Sequence, residues 1–149
     1  MSLGQYCNRE VVIIGADETV QTAAELMRRF HVGDVVVVED SDNARVPVGI
    51  LTDRDLVIEV MATGLSTDEL AVKDVITEPL LTARDSDDLL ETLGRMRTRG
   101  VRRIPVVREG DALVGILSVD DVIGLLADLI DDMAVLVGRE REREATLRP

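Results

Sequence analysis

The chain repeats itself, and no other feature limits its possible folds as much. Val46-Pro-Val-Gly-Ile-Leu-Thr-Asp-Arg-Asp-Leu56 returns 66 residues later as Ala112-Leu-Val-Gly-Ile-Leu-Ser-Val-Asp-Asp-Val122. Gly49 and Gly115, Ile50 and Ile116, Leu51 and Leu117, Thr52 and Ser118, and Asp55 and Asp121 superpose. Upstream the offset becomes 69, pairing Val20 with Leu89, Met27 with Met96, Arg28 with Arg97, Val32 with Val101 and Val37 with Val106. The three-residue difference falls in Asp40–Arg45, a loop, where insertions cost little. Two degenerate copies of one unit therefore fill nearly all of the 149 residues.

Each copy has the same pattern. In the first, Val11–Ile14 reads as a short buried strand. Asp17 and Thr19 then offer caps to a helix with inward Val20, Ala23, Ala24, Met27 and Phe30 at spacings of three and four. Val35–Val38 is an unbroken β-branched run, the pattern of a strand covered on both faces. Val46–Leu51 is the next strand, and a second helix starts at Thr52. The second copy follows with strand Leu80–Ala83, helix Asp87–Arg97 (Leu89, Leu90, Leu93 and Met96 inward), strands Arg103–Val107 and Ala112–Leu117, and a helix from Val119. The expected fold is α/β (α+β): two β-α-β-β-α repeats, 1–63 and 80–138, a connector 64–79, and a charged tail 139–149. In the connector, Ser66-Thr-Asp-Glu69 has a capping-box pattern that predicts a short helical turn. The last helix carries Val122, Ile123, Leu126, Leu129, Ile130, Met133, Leu136 and Val137 over some five turns, reaching beyond its repeat. That stripe either packs on its own repeat or meets a second chain.

Composition excludes several classes. The net charge of −12 repels a phosphate backbone, and the only aromatic residues are Tyr6 and Phe30, too few for base-stacking platforms, so no nucleic-acid partner is expected. Cys7 and His31 are each alone of their kind, which leaves no disulfide, no Cys/His metal cluster and no His-activated nucleophile. Asp53, Asp120 and the pair Asp131-Asp132 read as solvated helix charges. His31 reads as a helix-end residue. No apolar run approaches the length that spans a bilayer, and Met1–Gln5 lacks the basic start of a secretion signal. A cytoplasmic, non-enzymatic chain without a metal or resident cofactor is expected.

The residues with most chemistry stand at the last strand-to-helix junction of each copy. Thr52-Asp-Arg-Asp55 and Ser118-Val-Asp-Asp121 each place a hydroxyl three residues before a carboxylate. Both read as helix caps, and equally as anion sites at a helix start, where free N–H groups meet a phosphate and the carboxylate holds ribose hydroxyls. Gly49 and Gly115 would let a ligand approach the backbone. Between Arg95 and Arg108 lie six arginines and no acid, although the chain carries −9 over residues 1–79 and −3 over 80–149. Such a cluster suits phosphate. Arg95 and Arg99 read as a solvated helix face. Of Arg102 and Arg103, alternation along a strand turns one toward the junction.

Taken together, these motifs resemble a tandem pair of CBS domains, also called a Bateman module. The resemblance rests on Gly49-Ile-Leu-Thr-Asp-Arg-Asp55, Gly115-Ile-Leu-Ser-Val-Asp-Asp121, Arg102-Arg-Ile-Pro-Val106, Leu26-Met27 and Arg95-Met96, and covers Val11 to Val137. It implies a pseudo-two-fold pair with two clefts for adenosine-containing ligands: AMP, ADP, ATP, S-adenosylmethionine or NADH. It further implies that Asp55 and Asp121 hold ribose, Thr52 and Ser118 touch phosphate, and Arg102 and Arg103 supply the basic group. Adenine would lie against Val12–Ile14 in one copy and Leu81–Ala83 in the other. Gly33-Asp34 stands where the second copy has Arg102-Arg103, so Asp34 would oppose a polyphosphate and make the clefts unequal; Arg54 either compensates or is an exposed helix residue. A homodimer of CBS pairs and a separate regulated protein are the implied partners. The alternative is a ligand-free assembly module in which Thr52, Asp55, Ser118 and Asp121 act only as caps.

Overall fold

In the computed structural model, which describes residues 1–76 and 79–148, each repeat is built around one covered strand. In the first repeat, β2 (Asp34–Ser41) lies between β1 (Ile13–Gly15), which it pairs in parallel, and β3 (Ala44–Thr52), which it pairs antiparallel. In the second, β5 (Arg103–Val107) lies between β4 (Ala83–Arg84) and β6 (Leu113–Ser118) in the same senses. Val35–Val38 and Ile104–Val107 are buried throughout, because a middle strand with both faces covered has no polar side to show. The ladders slip at matching places, after Val37 opposite Gly49 and after Val106 opposite Gly115. The first hairpin closes on Asp42 and Asn43, whose φ values of 47° and 63° fit a two-residue turn matching the strand twist. The insertion in the first copy thus lengthens a hairpin rather than a loop.

Two helices of equal length cover the sheets, α1 (Val20–Phe30) and α4 (Leu89–Arg99). Thr19 caps α1 by accepting from the Thr22 N–H at 3.2 Å, and Asp88 caps α4 through the Leu90 and Glu91 N–H groups. Asp17 instead pairs with Lys73. Val20, Ala23 and Met27 point inward with Leu89 and Met96, while Ala24, Phe30 and Leu90 do not; Leu90 is 72% exposed. The expected faces were drawn too wide. A short helix against a three-stranded sheet buries little more than one residue per turn.

The first repeat's second helix is irregular, with α2 (Asp53–Asp55) running into a π-helical stretch, Leu56–Met61. Its counterpart α5 is one continuous helix, Val119–Leu147, so the charged tail continues that helix from Arg139 as far as Leu147. In the connector, Thr67–Glu69 forms only a turn, and the helical segment is α3 (Val72–Val75). Thr77 and Glu78, within the connector, and Pro149, in the tail, lie outside the described residues.

The repeats exchange short straps. Leu3–Gln5 is a 3-10 turn whose N–H groups reach the second repeat, Leu3 to the Asp87 carbonyl at 3.0 Å and Gly4 to that of Asp85 at 2.8 Å. Leu3 is fully buried with Leu89, Met96, Ile104 and Leu117. Reciprocally, Val72 and Val75 join the first core beside Val20, Val35 and Leu51. Leu3 and Val72 are related by the same offset of 69, as are Cys7 and Ile76. The strap following each turn lies on the other repeat's Gly: a Cβ on Gly49 would come within 2.7 Å of Ile76, and one on Gly115 within 2.7 Å of the Cys7 sulfur and 2.8 Å of the Asn8 carbonyl oxygen. These glycines make room for protein, not for a ligand as the sequence suggested.

Candidate functional site

Thr52 and Ser118 end β3 and β6 and cap the helices that follow. The Asp55 N–H donates to Thr52 Oγ1 at 3.1 Å, and the Thr52 N–H donates to Asp55 Oδ2 at 2.9 Å. The same box forms at the other junction, with Asp121 N–H to Ser118 Oγ at 3.1 Å and Ser118 N–H to Asp121 Oδ2 at 2.9 Å; the Ser118 hydroxyl also donates to that oxygen at 2.6 Å. In both boxes Oδ2 is committed, and the other oxygen, Oδ1, has no hydrogen bond among the described residues. A carboxylate carries about four lone-pair sites, so capping leaves each aspartate able to accept from a diol. The cap and binding readings are therefore compatible.

Each junction faces the strand entry of the opposite repeat across a cleft. The larger cleft, 530 Å³, is lined by Thr52 and Asp55 with Arg54 from the first repeat, and by Leu81, Arg102 and Arg103 from the second. The smaller, 260 Å³, brings Ser118, Asp120 and Asp121 of the second repeat against Val12, Gly33 and Asp34 of the first. Arg103 borders both. Only the larger reaches the range common for small-molecule sites, about 300–1,000 Å³. Ile14 and Ala83, expected beside adenine, are each 2% exposed in the two cores and line neither cleft. Strand β1 starts two residues later than expected and β4 three, so the cleft-facing residues are Val12 and Leu81, just before each strand. His31 lies exposed at the end of α1, outside both linings.

The arginines divide by partner. Arg95 donates to Asp87 Oδ2 at 3.0 Å and to the Thr82 carbonyl, and Arg99 donates to the Pro79 carbonyl at 3.1 Å. Both thus tie down the entry to β4 instead of lying free on a helix face. Arg102 reaches Asp120 at 3.3 Å on the surface. Arg103 Nε meets Asp34 Oδ1 at 2.8 Å, where the side chains are 33% and 15% exposed. Asp34 and Arg103 are equivalent positions of the two repeats, so the pair joins them across the centre. Burial nevertheless pushes the Asp34 carboxyl above the ordinary range, outweighing Arg103, with Asp53 adding repulsion. Burial likewise pushes the Cys7 thiol up, which disfavours a reactive thiolate.

Sequence reasoning missed Ile76 and Pro79 in the larger cleft and Asn8 and Glu10 in the smaller. Each lies at or just after a strap, and extending the offset of 69 to Leu3 and Val72 is the signal that could have found them. Among the described residues, no three His, Cys, Asp or Glu side chains group to hold a metal ion, and no helix is long and apolar enough to cross a membrane.

Comparison with known proteins reaches the same architecture. The CBS-domain family model matches residues 3–62 and again 72–128. The chain belongs to the CBS-domain family. As a CBS pair it is 33% identical over 123 residues to an uncharacterized protein of Methanopyrus kandleri, covering 83% of this chain and 61% of that one, so it spans less than two thirds of that relative. It is 32% identical over 115 residues to hypoxic response protein 1 of Mycobacterium tuberculosis, covering 77% and 78%. The crystal structure of Hypoxic Response Protein I with two coordinated zinc ions matches with a TM-score of 0.72 at 30% identity, over 83% of this chain and 97% of that one. A CBS domain protein of Pyrobaculum aerophilum complexed with AMP shares the fold at 23% identity and a TM-score of 0.72, over 81% and 89%. A CBS pair complexed with 5′-methylthioadenosine and S-adenosyl-L-methionine does so at 17% and 0.72, over 85% and 99%. Matches to inosine-5′-monophosphate dehydrogenases span 21% of those enzymes.

Proposed function

We propose that this CBS pair is a regulatory module, not an enzyme, that binds an adenosine-containing ligand between its repeats and passes the signal to a separate partner protein. The observation that carries the reading is the larger cleft. It brings a capped Thr52 and Asp55 from one repeat against Leu81, Arg102 and Arg103 of the other. Asp55 Oδ1 is the acceptor offered to a ribose diol, the Thr52 hydroxyl and the arginines are donors for a phosphate, and Leu81 is an apolar face for a base. The complexes of structurally similar CBS pairs with AMP and with S-adenosyl-L-methionine favour the same ligand class. A ligand touching both repeats binds one relative orientation better than others, and that difference is the only free energy available for signalling.

A thermal-shift series with AMP, ADP, ATP, S-adenosylmethionine and NADH tests this, with Asp55→Ala alongside. A ligand at a hundred times its dissociation constant stabilises the fold by about 2.7 kcal/mol, so at least one should raise Tm by several degrees, and Asp55→Ala should lose the rise. Absence of any shift in chain freed of bound nucleotide favours the assembly module instead. That second reading draws on the exposed apolar face of α5, which suits a second copy of the chain.

A further inference from the structure

The two clefts are equivalent in sequence position yet opposite in charge. The smaller is lined by four carboxylates, Glu10, Asp34, Asp120 and Asp121, and one guanidinium, Arg103. The larger is lined by three guanidinium groups, Arg54, Arg102 and Arg103, and two carboxylates, Asp55 and Glu59. Asp55 and Asp121 are matched caps and cancel in the comparison. What remains on the acidic side is Glu10, Asp120 where the first repeat has Arg54, and Asp34 where the second has Arg103. Of these three acids Glu10 and Asp120 are exposed and screened by water, whereas Asp34 is 15% exposed and already engages Arg103, which borders both clefts, at 2.8 Å. We infer that a phosphate-bearing adenosine ligand enters only the larger cleft, one per chain, and that Asp34 is the residue that excludes it from the smaller one. This rests on the proposed reading of the clefts as adenosine sites.

The exclusion has two parts. A phosphate beside Asp34 would meet a carboxylate that is 15% exposed, where water screens repulsion poorly. The one guanidinium that could offset it, Arg103, would have to leave Asp34, stranding a partly buried charge. In the larger cleft Arg103 needs no such exchange, because Arg54 is exposed with no side-chain partner among the described residues and Arg102 is held only by its exposed pair with Asp120, so both can turn toward a phosphate while Arg103 stays paired. Volume alone does not bar the smaller cleft, since Asp120 and Asp121 stand exposed at its edge and a nucleotide could project past them.

Titration calorimetry of the whole chain, dialysed free of nucleotide, with AMP and with adenosine as the phosphate-free probe, decides the matter. The wild-type chain should bind one AMP, Arg54→Glu should weaken that binding at least tenfold, and Asp34→Asn should raise the stoichiometry to two. Two AMP per wild-type chain, a single AMP in Asp34→Asn, or an affinity indifferent to Arg54→Glu would overturn the exclusion, while adenosine binding would leave the cleft reading standing. Silence toward both AMP and adenosine would overturn the cleft reading and this inference together.

Discussion

Asp34 ties the charge of the smaller cleft to the stability of the fold. Its carboxyl is raised by burial, which outweighs Arg103 at 2.8 Å and is reinforced by Asp53. A carboxyl with a folded-state pKa above its unfolded one holds its proton more tightly in the native state, so ionising it works against folding. Its adverse effect is absent in acid below the unfolded pKa. It grows as pH rises through the ordinary carboxylate range to the raised folded value, and is constant beyond. Urea midpoints of the wild-type chain and Asp34→Asn, compared between about pH 3 and pH 7, should therefore diverge in favour of the variant as pH rises. A divergence in the opposite sense would mean that Arg103 outweighs burial. The sequence placed Asp34 and Arg103 at equivalent positions but not in contact, because equivalence under a repeat says nothing about distance until the axis relating the copies is known.

Among the elements, the straps are the least legible and the strands the most. β2 announced itself by the unbroken β-branched run Val35–Val38, β5 by its place in the repeat, and the caps at Thr52 and Ser118 by residue type and spacing. Leu3 and Val72 carried no periodicity, since a strap one turn long buries single residues. The irregular winding of Leu56–Met61 had no sequence signal either. Strap packing yields a direct test at Gly49, where the atoms nearest to an added Cβ all belong to the Ile76 side chain, its two methyls at 2.7 and 2.8 Å. Gly49→Ala should cost about 1–3 kcal/mol by overpacking. In an Ile76→Ala background most of that cost should vanish, leaving a coupling energy of at least ~0.5 kcal/mol in a double-mutant cycle. Additive effects would show that the strap does not constrain the glycine.

At the scale of the molecule, α5 leaves Ile123, Leu126, Ile130, Met133 and Val137 exposed along one side. Ile123, Ile130 and Val137 recur every seven residues with Leu126 and Met133 three later, β-branched residues alternating with Leu or Met, a pattern close to the one that favours two strands in a coiled coil. Size-exclusion chromatography with light scattering should find a dimer, and Ile130→Glu with Met133→Glu should shift it to monomer with the sheets intact by circular dichroism. A wild-type monomer at high micromolar concentration would assign the stripe another role. The clefts were legible as motifs because each junction is local in sequence. Their inequality in size was not, since Ile76 and Pro79 on one side, and Asn8 and Glu10 on the other, are brought in by segments distant from the motifs.

The exchange of straps also bears on ancestry. The segment preceding each repeat completes the core of the other, so neither repeat with its own leading segment is a finished structure. If the two copies descend from one duplicated unit that began with its strap, that unit closed its core by trading straps with a twin. Duplication then fused two mutually dependent partners into one polypeptide. Once they were fused, each position was free to change independently of its counterpart, and a position that began as the same residue twice could become an aspartate on one side and an arginine on the other.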